Sequence, residues 1–281
     1  MIKPKLVEGL FKPGWIAMLL LFISACGNAP PRLPAAIEQA KKTDQAAHRA
    51  LRDADLRRAS ELFNQSMLIQ QSLENIPAAA TAAINLASVA HKQGDDNAAL
   101  DLLNNVLAYT AANVPAEVLA AAAFRKGIIL ADNGKTDEAE SAMQRAQQEC
   151  KKQCEFESGI SNLQARLLLD KGSFINALAV AKSVMSSCAS KEEQANAQRI
   201  AASAETSLGQ FDAALIHFQG ALTLDKELGL SMRIVGDLKG ISTVLEKLGR
   251  KQEAEAFAHR AEIASTAAKA LAGNMQNKSI P

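Results

Sequence analysis

The sequence predicts an all-α fold, a solenoid of about six antiparallel helix hairpins. Five glycines recur along the chain at intervals of 40, 38, 37 and 40 residues. Small residues return in step with them, seven positions before, five positions after and twelve positions after each glycine. The repeating glycines are Gly94, Gly134, Gly172, Gly209 and Gly249. A repeat of this length is typical of stacked helix pairs, so it determines the fold class.

The glycines and the small residues have different roles in each hairpin. Each glycine lies in a polar stretch, where it ends a helix by taking the left-handed conformation. The small residues mark close helix crossings, because a side chain larger than alanine would hold two helices apart. Seven positions before the glycines lie Ala87, Gly127, Ala165, Ala202 and Ser242; five after lie Ala99, Ala139, Ala177, Ala214 and Ala254; twelve after lie Val106, Ala146, Val184, Ala221 and Ala261.

The hairpins can be placed in order along the chain. The first is divergent, with Ala54 at the place of the turn glycine, 40 residues before the second turn. The second and third are expected to begin at residues 75–78 and 113–116, near-copies in which asparagine supplies an N-cap and proline occupies the first turn. The fifth begins at residues 190–193, where Ser-Lys-Glu-Glu matches a capping box. The fourth and sixth are placed by their glycines.

Composition excludes several classes of function. Hydrophobic residues make up 48% of the chain and aromatic residues only 4%, which suits alanine-rich helix packing and leaves few rings for stacking on bases or sugars. The net charge is +1, so no field of one sign is available to attract nucleic acid. We therefore expect no nucleic-acid partner.

The N-terminus is typical of a secretion signal. Lysines precede an apolar run that is too short to span a bilayer comfortably. The run ends in Ile23-Ser24-Ala25-Cys26, which resembles the lipobox of bacterial lipoproteins. The resemblance implies a signal peptide over residues 1–25, lipidation of Cys26 (palmitate included), and, because Gly27 follows, an outer-membrane protein facing the periplasm. Residues 26–35 are rich in proline and predict an extended tether. An ordinary cleaved signal peptide is the alternative.

The repeat resembles the tetratricopeptide repeat (TPR), whose units have small residues at positions 8, 20 and 27 and a glycine in the turn. The resemblance covers residues 36–272 and implies a right-handed superhelix, with residues 273–281 as a flexible tail. Two features depart from the family pattern: the period exceeds the usual 34 residues, and the aromatic residues of the first helix are missing.

In TPR arrays the first helix of each unit lines a concave groove that binds peptides. The resemblance assigns to this groove His91, Lys92, Phe124, Asn162, Arg166, Asn196, Arg199, Lys239 and Lys247. It implies a groove that is apolar in its first half and basic in its second, suited to a peptide with an apolar segment and an acidic end. Some of these positions could instead pack on neighbouring helices, because the period is stretched.

Three cysteines remain for the folded part of the chain. Cys150 and Cys188 each end the second helix of a hairpin, and Cys154 begins the hairpin between them. Both Cys150–Cys154 and Cys154–Cys188 disulfides are geometrically compatible with antiparallel hairpins, with a preference for the local Cys150–Cys154 pair; three free thiols are the alternative.

The sequence contains no catalytic, metal-binding or cofactor-binding signature, and its histidines are scattered through the units. We therefore expect a protein that is not an enzyme and holds no cofactor. The combined prediction is a membrane-anchored protein-interaction scaffold of the bacterial cell envelope, with envelope proteins or peptides as partners. The alternatives are a peptidoglycan-acting enzyme built on a helical superhelix, and a structural spacer that binds by its convex face or its end.

Overall fold

The computed structural model describes residues 34–110, 113–151, 154–188 and 190–278, and these residues form twelve α-helices and no strand. The helices are α1 (Ala35–Arg52), α2 (Leu56–Ser72), α3 (Ile76–Lys92), α4 (Asp96–Leu107), α5 (Ala116–Asp132), α6 (Thr136–Cys150), α7 (Glu157–Asp170), α8 (Phe174–Ser187), α9 (Lys191–Ser207), α10 (Phe211–Leu228), α11 (Ser231–Lys247) and α12 (Lys251–Lys278). Consecutive helices pair as six hairpins, so the predicted all-α solenoid is confirmed.

The turns within the hairpins have the backbone conformation that the glycines predict. All five repeat glycines have φ between 70° and 85°. Ala54, at the equivalent place in the first hairpin, also adopts the left-handed region with φ of 58°. Because a Cβ makes this region costly for an L-residue, Ala54 keeps the turn geometry at an energetic cost that glycine would avoid.

The three small positions lie at helix crossings, as their spacing predicts. Every alanine at the position five residues after the turn has at most 1% exposure. At Gly127 a Cβ would lie 2.8 Å from Leu163 Cδ2 and 3.4 Å from the Ala139 carbonyl oxygen. In the last hairpin Ser242 takes the equivalent place, and its hydroxyl donates to the Ala254 carbonyl at 2.9 Å. At this crossing the facing backbone carbonyl therefore satisfies the buried hydroxyl.

The helices form two layers. From α3 onward, the first helices of successive hairpins contact one another directly, in the order α3, α5, α7, α9 and α11. Each second helix from α2 to α10 packs between its own first helix and the first helix of the next hairpin. The first helices approach one another more closely than the second helices do, so they line the concave side of the solenoid.

The buried core has two main parts. One apolar cluster runs without a break from Ala80 in α3 to Leu167 in α7. A second runs from Ala202 in α9 to Ala261 in α12. Between them lies a small cluster of three alanines: Ala165, Ala181 and Ala201.

The sixth hairpin differs from the others on its outer side. The residue nine positions after the turn is buried in the first five hairpins, where it is Phe63, Leu103, Met143, Ala181 and Phe218. In the sixth hairpin this residue is Ala258, which is exposed on α12. Because Ala181 is equally small but buried, the difference at Ala258 lies in its exposure and not in the size of its side chain.

Three helix starts were predicted from caps; two of them have the predicted cap and the third does not. The Asn75 side chain accepts from the Ala78 amide at 3.5 Å, and the Ser190 hydroxyl accepts from the Glu193 amide at 3.4 Å, as predicted. Asn113, in contrast, accepts a hydrogen bond from the Thr110 hydroxyl at 2.8 Å, and α5 begins after Pro115. The longer link before α5 offers Asn113 a local partner, so it does not cap the helix.

Several predictions concern the chain ends. The signal peptide over residues 1–25, Cys26 and the tether as far as residue 33 lie outside the described residues. The predicted boundary between the repeat domain and a tail at residue 272 falls within α12, which continues to Lys278. Within the described ranges, no helix combines the length and the hydrophobicity needed to cross a membrane.

Candidate functional site

A groove of about 490 Å³ lies on the concave side, between α5, α7, α9 and the start of α11. We call it the central groove. Its floor is apolar and is formed by Phe124, Ile128, Leu163 and Ile200. Five of the nine residues predicted for a peptide groove line it: Phe124, Asn162, Arg166, Asn196 and Arg199.

The floor depends on a glycine that the sequence did not single out. At Gly159 in α7 a Cβ would lie 2.7 Å from Phe124 Cζ and 3.3 Å from a Glu193 carboxylate oxygen. The missing side chain lets the Phe124 ring lie against α7, where it is 7% exposed and 6.2 Å from the ring of Phe156. Gly159 therefore positions the aromatic part of the floor.

Asn162 is fixed at the centre of the groove by Glu193. Its amide nitrogen donates to the Glu193 carbonyl at 2.9 Å and to the Glu193 carboxylate at 2.7 Å. Both of these oxygens can only accept, so the orientation of the Asn162 amide is determined. Its Oδ1 atom is buried without a hydrogen-bond partner in a residue that is only 4% exposed. A buried acceptor without a donor is costly, so the hydrogen bonds of the amide nitrogen to Glu193 are made at the expense of Oδ1.

The N-terminal end of the groove has a chain of charged contacts across three hairpins. Arg166 Nη1 donates to Asp132 Oδ1 at 2.6 Å, and the other oxygen of Asp132 lies 3.1 Å from His91 Nε2. His91 Nδ1 lies 2.6 Å from Asp96 Oδ1, and this contact, followed by one from Asn133, lowers the pKa of Asp96. A carboxylate therefore faces each ring nitrogen of His91.

The C-terminal wall is built around Arg199. Its Nε donates to Asp237 Oδ1 at 2.7 Å, its Nη2 donates to Asp225, and its Nη1 donates to Asn196 Oδ1 at 3.1 Å. Both carboxylates are fully buried. Burial raises the pKa of Asp237 from 3.8 to about 6, against the lowering effect of Arg199 and with a further raising contribution from Asp225. Arg199 is thus committed to internal partners that lie on α9, α10 and α11.

Arg233 completes the groove from the first turn of α11. Its Nη2 donates to Glu192 Oε1 at 2.8 Å, and its Nη1 is buried with no hydrogen-bond partner. Neither Arg233 nor Glu193 was predicted as a groove residue. Arg233 lies outside the helix positions that line the groove in TPR arrays. Glu193 was interpreted only as part of a capping box.

The remaining predicted groove residues lie elsewhere. His91 reaches the groove only through Asp132, and Lys92 is exposed in the last turn of α3. Lys239 lies in a separate cleft of about 600 Å³ between α11 and α12, together with Glu262. Lys247 is exposed in the last turn of α11. Lys239 and Lys247 of the last hairpin therefore do not join the central groove, and Arg233 is the residue of this hairpin that lines it.

The cysteines are also away from the groove. Cys150 and Cys154 form a disulfide with a Cα–Cα distance of 5.1 Å, which joins the end of α6 to the turn before α7. Cys188 is a free thiol after α8. In the part of the chain that the structure describes, no group of three or more histidine, cysteine, aspartate or glutamate side chains is placed to bind a metal ion.

Solved structures show which fold this is. No model of a protein family matches the sequence, and no curated protein matches it. The APC/C hetero-tetramer Cut9–Hcn1 superposes with a TM-score of 0.65 over 86% of this chain and 43% of that chain, at 13% identity. BtubC (BKLC) from P. vanneervenii gives a TM-score of 0.57 over 84% and 93%, at 16% identity.

A tetratricopeptide repeat protein from Parabacteroides merdae gives a TM-score of 0.52 over 81% of this chain and 80% of that chain, at 14% identity. The fold is TPR-like. In this TPR-like solenoid the first helices carry the central groove on the concave side, as the resemblance implies for the family. The low identities relate the chain to these proteins by fold alone.

Proposed function

We propose that this chain is a protein-interaction scaffold of the bacterial cell envelope and that the central groove is its docking site. The observation that carries the proposal is the groove itself: an apolar floor, bordered by polar side chains, on the concave side of a TPR-like solenoid. Apolar surface surrounded by a polar rim is typical of protein-binding sites.

The contents of the groove favour binding over catalysis. Glu193 accepts hydrogen bonds from Asn162 and Asn196, and Asp132 is paired with Arg166, so these carboxylates have structural partners. Phe124 is the one aromatic side chain that lines the groove. A peptidoglycan-acting enzyme would use a glutamic acid in a cleft that holds a sugar chain, which aromatic side chains commonly help to line.

The docking site can be tested by photo-crosslinking in intact cells. A photoreactive amino acid is placed at Ile128 or Ile200 in the groove, and at Ile175 or Ile216 as matched controls. The controls lie on the second helices α8 and α10 and are 72% and 67% exposed. We expect discrete adducts from the groove positions and none from the controls, with mass spectrometry identifying the partner. Adducts from Ile175 and Ile216 alone would place binding on the other side and refute the proposal.

The envelope location rests on the sequence around Cys26. Each CH₂ group of an acyl chain that is buried in a leaflet contributes about 0.8 kcal/mol to membrane binding. A single chain binds only marginally, so more than one chain is needed to hold a protein stably. Residues after Cys26 would then tether the solenoid to the membrane. We expect wild-type protein to incorporate labelled palmitate and to sediment with membranes, and Cys26→Ala to do neither. If wild-type protein sediments with membranes but incorporates no labelled palmitate, it is attached in another way.

A further inference from the structure

We infer that the central groove accepts an electrically neutral, apolar segment of a partner protein, and not the acidic segment that its arginines suggest from the sequence. This inference rests on the proposed function, since it specifies what docks in the same groove. It follows from the way in which the charges of the groove are distributed.

Every arginine of the groove has a carboxylate partner within the chain. Arg166 is bonded to Asp132 at 2.6 Å, and Arg233 is bonded to Glu192 at 2.8 Å. Arg199 is bonded to two carboxylates at once, both fully buried. An acidic ligand would therefore meet guanidinium groups whose charge is already balanced, and it would have to displace a partner to gain an ion pair.

A carboxylate of the chain also lies at the groove. Glu193 lines it and is half-buried, so its carboxylate would repel an acidic group of a ligand. The unpartnered atoms Asn162 Oδ1 and Arg233 Nη1 are both buried, so neither of them is offered to a ligand.

The floor supplies the attraction. Ile128 and Ile200 are half-buried, and Phe124 and Leu163 complete an apolar surface between the charged pairs. An aliphatic or aromatic side chain from the partner can cover this surface without separating any ion pair. Affinity then comes from apolar burial, which salt screens far less than it screens charge attraction.

The inference is tested by selecting a random dodecapeptide library, displayed on phage, against the purified protein, with counter-selection against Ile128→Glu. We expect enriched peptides with at least two aliphatic or aromatic residues and no net charge. A synthetic peptide of the enriched sequence should change in Kd by less than about threefold between 50 and 500 mM NaCl. Enrichment of aspartate or glutamate, with a loss of affinity above about tenfold in high salt, would overturn the inference.

Substitutions separate this inference from the proposed function. Ile128→Glu should weaken the synthetic peptide at least about tenfold, and Arg166→Gln should change its Kd less than about threefold. Ile216→Glu, on the exposed side of α10, is the control for an added charge and should have no effect; circular dichroism confirms that each variant is folded. A tenfold loss in Arg166→Gln would overturn the neutral-segment inference alone. If no peptide binds the wild-type protein in preference to the Ile128→Glu variant, the proposed docking site is refuted as well.

Discussion

The helices α3–α7 and the helices α9–α12 have the same repeat geometry but different interiors. In α3–α7 the core is apolar, and among the described residues of these five helices Asn162 is the one buried polar side chain. In α9–α12 three carboxylates are buried: Glu205, Asp225 and Asp237. Buried ion pairs seldom add net stability compared with apolar packing, but breaking one is costly. The stability of α9–α12 therefore depends on paired buried charges, whereas that of α3–α7 depends on apolar packing.

The largest expected effect is on the buried charges. Arg199→Met removes the cation that faces Asp225 and Asp237 and leaves two buried carboxylates without a counter-charge. We expect the free energy of unfolding to fall by about 3–5 kcal/mol, measured by urea denaturation at pH 8. A loss below about 1 kcal/mol would mean that the two halves do not differ in the way proposed.

The next largest effect is a pH dependence of the free energy of unfolding, which arises from Asp237 in the second half. The folded pKa of Asp237 is about 6 and its ordinary value is 3.8, so the folded state binds the proton more tightly. Asp237 therefore adds to the free energy of unfolding below about pH 4, and this contribution is lost as the pH rises through about 6. Each pKa unit between the ordinary and the folded value corresponds to about 1.4 kcal/mol.

Asp237→Asn should remove this dependence. Relative to wild type, the variant should gain stability as the pH rises from 4 to 6 and stay level above that, in urea denaturation at a series of pH values. A variant whose stability runs parallel to that of wild type would show that Asp237 does not titrate in this window.

A smaller effect of opposite sign is expected at Glu205. It occupies a position that is Leu130 and Leu245 in the third and sixth hairpins, and its partners His217 and Lys182 are partly exposed. Glu205→Leu should be neutral or stabilising, by about 1 kcal/mol, because leucine suits the position and both partners can be solvated. A clear loss in thermal denaturation would show that the carboxylate is needed for packing and not only tolerated.

The smallest effect is expected at the matched arginine of the first half. Arg166 pairs with Asp132 on the surface of the groove, and both side chains are 37% exposed. Arg166→Met should cost less than about 1 kcal/mol, because exposed ion pairs contribute little. If it destabilised the protein as much as Arg199→Met does, exposure would not be what distinguishes the two arginines.

The sequence was sufficient for the fold because the signals repeat. Glycine at each turn and three small residues per hairpin are local requirements that a single chain displays several times. The divergent hairpin could be placed by spacing alone, and Ala54 takes the left-handed conformation that a glycine would have had. Cap residues were less reliable, since Asn113 finds a partner in Thr110 and not in a helix amide.

The groove could be predicted only in part. The positions of Phe124, Asn162 and Arg199 followed from the resemblance, but their partners come from other helices and from the next hairpin. One signal in the sequence was available: Asp237 occupies a position that is Ala82, Ala122, Ile160 and Ala197 in hairpins two to five. A charge at an otherwise apolar repeat position indicates a buried ion pair, and an alignment of the hairpins would have shown it.

The exposed Ala258 has a consequence for what the size of a single side chain can show. Ala181 occupies the same position in the fourth hairpin and is fully buried, so an alanine at this place is compatible with the packing of a neighbouring hairpin. The repeat therefore tolerates side chains from alanine to phenylalanine at this position, and stacking depends on the matched surfaces of whole helices more than on one residue.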